Sequence, residues 1–555
     1  MKATELGAFH VDGEIDERIH RSIRHLEELN TDEMRREMVR PDPRWHWGAD
    51  YMGRWIGVMA QLGKYTGEEY GASAVAHELV SYQEPNGSLG PYSDPHDHKE
   101  WLGMGRGLTG LLEYYAVLPD PEVLHAAIRL GDYYEKFYPS IADCMYECHA
   151  NGLEGLVLLA KASGDERHLQ TAIRVAETSM LYKGVLYSKE LGPDGKRAPC
   201  SGHVHCHLMT ARGLLDLYEV TGEERFRAPA LSFWDVLARE MLWVSGGLGE
   251  FFHYPEHNET CADADWLRLN VQLWRMTRDE KYMDLAERVL FNQLLFAQAD
   301  NGAFCYRRGL QNIPGSGFDA CCSHHGPRAL LEATRYVYAT EKDHICVNMY
   351  LEGEANLDVG DHTVRIISRA SGDGQRFAAV LELRDPPPTT LQLSLRIPDW
   401  AGSATLLLNG RELREAGQQR RISIERSWAD GDRLEVRLPL QVRVVEGMTL
   451  GKHTLCPGHV AVFYGPRLLV LNGRFNPEVN LHFVRLQIDG GPGFAVESAD
   501  RIQAQGVTVE GDPVRLIYTP LANVGGHLGE MGRIHSAGTQ YFRVWVPVER
   551  PLPVS

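Results

Sequence analysis

Glu259-Thr260-Cys261 and, further along the chain, the adjacent pair Cys321-Cys322 offer three thiolates and one carboxylate. That is a four-ligand set for zinc, which takes sulfur and carboxylate oxygen in tetrahedral geometry. Adjacent cysteines are awkward partners for a disulfide with each other and say little as core packing. Upstream, Gly246-Gly247-Leu248-Gly249-Glu250 carries one more carboxyl group. A carboxyl close to a metal-held thiolate points to acid/base chemistry beside a nucleophile, not only to a structural clip. Glu-x-Cys followed by Cys-Cys is not the spacing of a common zinc finger or ribbon. Its weight therefore depends on where the fold puts the two strings.

The elements that must position them repeat a theme. Thr66-Gly67-Glu68, Pro119-Asp120-Pro121, Ser163-Gly164-Asp165, Thr221-Gly222-Glu223 and Thr277-Arg278-Asp279 are turn strings set between runs of helical apolar period. Leu153, Leu156, Val157 and Ala160 show that period, as do Phe226, Leu231, Trp234 and Leu237. Self-similarity at intervals of roughly 44 to 58 residues points to stacked helix pairs. The pattern predicts twelve helices over 15–38, 50–65, 68–84, 98–116, 120–136, 148–163, 165–180, 205–220, 223–242, 260–276, 279–297 and 323–340. Six antiparallel pairs close into an (α/α)6 barrel.

The connections are unequal. Short turns leave the even-numbered helices, and most long segments lead into them; long connections commonly carry function. On that side fall Trp45 and Trp47, then His96 and His98, then Tyr146, Glu147 and His149. His203, His205 and His207 follow, then Glu250, His253, Tyr254, Glu259 and Cys261, and last Cys321, Cys322, His324 and His325. With the even-numbered helices as an inner ring, all six clusters gather at one mouth and the two ligand strings meet. For His203, His205 and His207 two readings stay open: sugar-binding or core histidines, or a second metal site with Cys200 or Cys206. Cys144 and Cys148 read as buried thiols.

From residue 342 the grammar changes to alternating strands, as in Ile345-Cys346-Val347 and Leu391-Gln392-Leu393-Ser394-Leu395, separated by turns such as Leu408-Asn409-Gly410. The expected organisation is a barrel over 1–341, a β-sandwich over 342–464, and a second β-sandwich or its continuation over 465–555. A formal net charge of -18 argues against nucleic acid or an anionic membrane as the main partner. Ten cysteines in 555 residues are too sparse for a disulfide scaffold and read as core thiols, ligands or catalytic groups. No apolar run is long enough to span a bilayer, and Met1-Lys2-Ala3-Thr4-Glu5-Leu6 lacks the apolar core of a secretory signal, so a cytoplasmic protein is expected.

Gly249-Glu250, Glu259-Thr260-Cys261 and Cys321-Cys322 resemble the signature of glycoside hydrolase family 127, whose founding activity is β-L-arabinofuranosidase. Val347-Asn348-Met349-Tyr350, Leu395-Arg396-Ile397-Pro398-Asp399-Trp400, Leu408-Asn409-Gly410 and Tyr464-Gly465-Pro466 are similar to landmarks of its β region. The resemblance implies an (α/α)6 barrel followed by β-sandwich domains. It implies Zn2+ held by Glu259, Cys261, Cys321 and Cys322, with Cys321 as nucleophile and Glu250 as general acid/base. The sequence differs from the pattern where Ser323-His324-His325-Gly326 replaces a Pro-rich continuation, so the sugar stays open. The substrate expected is a small or oligomeric β-L-arabinofuranoside or related plant-type sugar. Trp45, Trp47, His98, His149, His203, His205, His207, His253, Tyr254 and His324 are expected to contact it. A homodimer is a further option. Two alternatives remain: a sugar epimerase or isomerase on the same barrel, and a non-catalytic carbohydrate-binding protein with a structural zinc.

Overall fold

The computed structural model describes residues 1–29, 48–89, 98–141, 152–179, 181–182, 202–252, 254–307, 309–310, 321–372, 374–447, 449–450, 453–454, 456–487, 493–524 and 542–548. Among the described residues, twelve helices build the N-terminal part: α1 (Glu14–Glu28), α2 (Gly48–Thr66), α3 (Ala72–Ser81), α4 (His98–Val117), α5 (Pro121–Ile141), α6 (Leu153–Ser163), α7 (Glu166–Thr178), α8 (Val204–Thr221), α9 (Glu224–Glu240), α10 (Thr260–Thr277), α11 (Glu280–Arg288) and α12 (Cys322–Val337). Helix α11 runs on through a π-helical turn, Val289–Leu294, to Ala297. The even-numbered helices pack in a closed ring, α2 on α4, α6, α8, α10, α12 and back to α2. Each odd-numbered helix lies outside against an inner neighbour. This is the (α/α)6 barrel.

The recurring turn strings work as paired stops and starts. Gly164, Gly222 and Arg278 end their helices in the left-handed conformation, at φ of 66°, 71° and 62°. Asp165 and Asp279 then cap the next helix by accepting from Arg167 N at 2.9 Å and Lys281 N at 3.1 Å; such a cap contributes about 1 kcal/mol. Outer helices bury one stripe, as α7 does with His168, Thr171, Ala172, Val175 and Ala176. Inner helices are buried all round, and α10 is buried from Thr260 through Trp274. Gly110 lets α4 close on α2, since a Cβ there would overlap the backbone of Gly53.

A barrel whose inner ring is wholly buried has to pair its own polar residues. Along the axis Arg54 binds Asp50 at 2.6 Å, Arg328 binds Glu113, and Arg268 reaches Asp265 at 2.9 Å and Glu154 at 3.3 Å. These charges come from α2, α12, α4, α10 and α6, so the ion pairs tie the ring together.

The sandwich packs a five-stranded sheet against a seven-stranded one. Two short N-terminal strands join them: β1 (Lys2–Ala3) pairs with Tyr338–Glu341, and β2 (Phe9–Val11) with Gly353–Val359. The first residues therefore belong to the β part, where the sequence had assigned them to the barrel. A nine-stranded sheet follows. It begins with Val442–Glu446 rather than after Gly465-Pro466, and Gly465 sits in the turn between His459–Tyr464 and Arg467–Asn472. The first helix runs from Glu14 to Glu28, and residues 30–38 of the expected 15–38 span lie outside the described residues. No described helix is long and apolar enough to cross a membrane.

Candidate active site and metal centre

Three inner helices start at the same mouth. His203 precedes α8, Glu259 precedes α10 and Cys321 precedes α12, each at the N-cap position, and none of the three side chains caps its own helix. Helix N-termini carry partial positive charge and favour thiolates and carboxylates. Glu259, Cys261, Cys321 and Cys322 each present one ligand atom within 4.8 Å of the others. The Sγ atom of Cys261 lies 3.4 Å from that of Cys321 and 3.2 Å from that of Cys322. Three sulfurs and a carboxylate at this separation suit a four-coordinate zinc, with bonds of about 2.0–2.3 Å. Glu259, Cys261 and Cys322 are buried, while Cys321 is partly exposed.

The acidities follow the geometry. Hydrogen bonds from Cys261 and Cys322 pull the Cys321 thiol well below the ordinary range, and the Arg54 guanidinium adds to this. Burial pushes Cys261 and Cys322 well above it.

A hairpin sets Glu250. Strands β3 (Gly249–Phe251) and β4 (Tyr254–Asn258) pair between α9 and α10. Gly249 is required there, because a Cβ would meet Pro255 Cα at 2.6 Å. Asp263 on α10 locks the hairpin by accepting from Leu248 N at 2.9 Å and from Asn258 Nδ2 at 2.8 Å. Glu250 is fully buried. Tyr306 donates to its Oε1 at 2.5 Å, and Arg307 donates from Nε to Oε2 at 2.5 Å and from Nη2 to Oε1 at 2.8 Å. A Glu250 oxygen, a Glu259 oxygen and a His203 ring nitrogen lie within 4.8 Å of one another. Glu250 therefore adjoins the ligand set.

Family models match both parts of the chain: a β-L-arabinofuranosidase GH127 catalytic domain over residues 25–335 and a GH127 middle domain over 344–440. The chain belongs to glycoside hydrolase family 127. It is 25% identical over 313 residues to a non-reducing end β-L-arabinofuranosidase of Bifidobacterium longum subsp. longum, covering 50% of this chain and 45% of that protein. The match thus spans less than half the length of the curated relative. The fold is similar to a solved GH127 β-arabinofuranosidase, with a TM-score of 0.76 at 19% identity over 99% of this chain and 98% of that one. It is also similar to a GH127 β-L-arabinofuranosidase from Geobacillus stearothermophilus T6, with a TM-score of 0.73 at 16% identity over 98% of this chain and 100% of that one.

Other residues named from the sequence fall in several places in this family 127 chain. His203 reaches Glu259 Oε2 with Nε2 at 2.5 Å and Cys206 Sγ with Nδ1 at 3.1 Å. Burial pushes its pKa down, but Cys206 and Glu259 outweigh that and hold it well above the usual value. His205 is pinned between Asp265 Oδ2 and Arg106 Nη2, both at 2.8 Å. His207 bonds through Nδ1 to His203 O at 2.8 Å and packs its ring on Phe233 and Phe252. His324 is buried and stacks on Tyr51, with ring centres 6.0 Å apart. His98 heads α4 and Tyr254 opens β4. Trp45, Trp47, His149 and His253 lie outside the described residues, as do His96, Cys144, Cys148 and Cys200.

Sequence reasoning missed Tyr306 and Arg307. Their strand-like neighbours run between the two ligand-bearing helices: Thr260 N donates to Tyr306 O at 3.1 Å and Thr260 Oγ1 to Cys305 O at 2.6 Å. The only available signal was an aromatic–basic pair shortly before Cys321-Cys322.

Proposed function

We propose that this chain is a retaining glycoside hydrolase acting on β-L-arabinofuranosides, with Cys321 as nucleophile, Glu250 as acid/base and Zn2+ held by Glu259, Cys261, Cys321 and Cys322. The observation that carries this reading is that Cys321 alone of the four ligands is partly exposed at the barrel mouth, while the other three are buried. A structural site would enclose all four.

Zinc, when bound, keeps its coordinating thiols deprotonated, so that sulfur is a nucleophile at neutral pH. The chain's residues then divide the work. Cys321 Sγ attacks the anomeric carbon, the C–O bond to the leaving group breaks, and Glu250 gives its proton to the departing oxygen. In the second half Glu250 takes a proton from water, the water oxygen attacks the same carbon, and the C–S bond breaks to return the thiolate. Two displacements on one carbon retain its configuration. Arg307 and Tyr306 fix the carboxyl of Glu250 during the wait, and proton donation requires Arg307 to draw back. His203 holds Glu259 Oε2, which leaves the other oxygen for the metal. The substrate class is supported by the family match and the curated relative.

A panel of nitrophenyl glycosides, with metal analysis on the same sample, tests the reading. Hydrolysis of the β-L-arabinofuranoside with one or more zinc ions per chain is expected. Sugar interconversion without cleavage, or turnover that survives complete loss of metal, would contradict it.

A further inference from the structure

We propose a second cation site in this chain, made of His205, Cys261 and His325 and sharing the Cys261 thiolate with the four-ligand set. It takes a borderline-soft divalent ion such as zinc, with two nitrogens, one sulfur and one remaining position. The proposal rests on the four-ligand reading, because Cys261 has to be a thiolate in both.

Three observations carry it. The ligand atoms of His205, Cys261 and His325 lie within 4.8 Å of one another, and all three residues are buried. His325 sits one turn along α12 from Cys321-Cys322, and neither of its ring nitrogens has a hydrogen-bond partner among the described residues. Its ring meets that of His205 edge-on at 4.9 Å. A buried polar atom left unpaired is costly, and a cation would relieve that cost at His325.

Asp265 Oδ2 lies 2.8 Å from His205 Nδ1, a charge contact without hydrogen-bond alignment, so the ring has a carboxylate beside one nitrogen and a guanidinium beside the other. That other nitrogen, Nε2, lies 2.8 Å from Arg106 Nη2. Cation binding therefore exchanges a guanidinium for the ion.

The test is a count. The full chain is stripped of metal under reducing conditions, supplied with zinc, desalted and weighed by native mass spectrometry. The wild type is expected to hold two zinc ions and His325→Leu one, with the far-ultraviolet spectrum and melting transition of the variant kept as checks on folding. His205→Leu is expected to repeat the loss. One zinc in the wild type, displaced by Cys322→Ser, overturns the second site and leaves the first standing. No zinc in the wild type overturns both. Two ions retained by a folded His325→Leu chain also overturn the second site. If neither histidine variant folds, the wild-type count decides alone.

Discussion

Two buried polar clusters in this molecule are built on opposite rules. At the junction of barrel and sandwich, Arg396 is fully buried, yet its Nη1 donates to Asn348 O at 2.6 Å and its Nη2 to Asp284 at 2.8 Å and Glu287 at 3.0 Å. Trp400 Nε1 adds a bond to the same Glu287 at 2.9 Å, and Arg420 and Arg421 cover Asp284 and Glu280. Of the Arg396 nitrogens only Nε lacks a hydrogen bond among the described residues. At the barrel mouth, by contrast, both nitrogens of His325, Nη1 of Arg54 and Oδ2 of Asp50 lack partners there, and three thiols crowd together. A cluster that only holds domains together satisfies its own polar atoms. One that works on a ligand keeps donors and acceptors in reserve and relies on the fold around it to bear the cost.

This contrast can be broken in graded ways. Cys321→Ala is expected to lower kcat by about four to six orders of magnitude, as loss of a nucleophile does, and to weaken zinc binding because a ligand goes with it. A variant that keeps a tenth of wild-type activity in a kinetic assay would remove Cys321 from its role. Arg396→Met should do the reverse. Removing Arg396 leaves Glu287 buried without its guanidinium partner, at a cost of about 3–5 kcal/mol, to be read by urea unfolding, while zinc content per folded chain holds. Loss of metal with no loss of stability would show that the two clusters are not independent.

A smaller effect is expected at Arg307. Arg307→Met frees the carboxyl of Glu250 to turn, and misplacement of a catalytic group by about 1 Å costs about a hundredfold. The measure is kcat/KM on an aryl arabinofuranoside, with zinc unchanged. Equal kcat/KM in variant and wild type would assign Arg307 to the surface.

The smallest and most local effect is the order in which acid loosens the two clusters. Burial, helped by the Arg54 charge, pushes the His324 pKa down to about 3. The unfolded chain takes up that proton near the free-histidine value of about 6.5. The stability tied to neutral His324 is therefore present above about pH 6.5 and is lost as the pH falls toward 3. For Asp284, burial pushes the pKa up, but Arg396 and Arg420 outweigh it and hold it below the usual carboxylate value. Its contribution persists until the pH falls below about 4. At pH 5, amide exchange should quicken near the start of α12 while the Arg396 strand stays protected. Simultaneous loosening of both would erase the distinction.

Much of this arrangement was legible in the sequence, for local reasons. Gly164-Asp165 and Arg278-Asp279 mark helix ends through backbone geometry and capping that need no tertiary context. The long segments before the even-numbered helices told which ends would form the mouth, and Cys321-Cys322 has few bland explanations. What escaped depends on contacts between distant segments. β1 and β2 are too short to carry a period of their own and exist because Tyr338–Glu341 and Gly353–Val359 offer them an edge. Tyr306 and Arg307 gain their meaning only from the β3–β4 hairpin that presents Glu250. His324 and His325 are neighbours in sequence, but successive residues on a helix diverge by about 100°, so one faces Tyr51 and the other His205. The strand Val442–Glu446 precedes any obvious turn and was read as part of the earlier sandwich.

The claim that Cys321 forms a bond to the sugar is tested most directly by quenching the enzyme with acid during turnover of an aryl β-L-arabinofuranoside and mapping the adduct by peptide mass spectrometry. One pentosyl unit on the peptide that contains Cys321, absent from Cys321→Ala, is the predicted result. A pentosyl ester on Glu250 or Glu259, or product of inverted configuration with no adduct at all, would contradict the account.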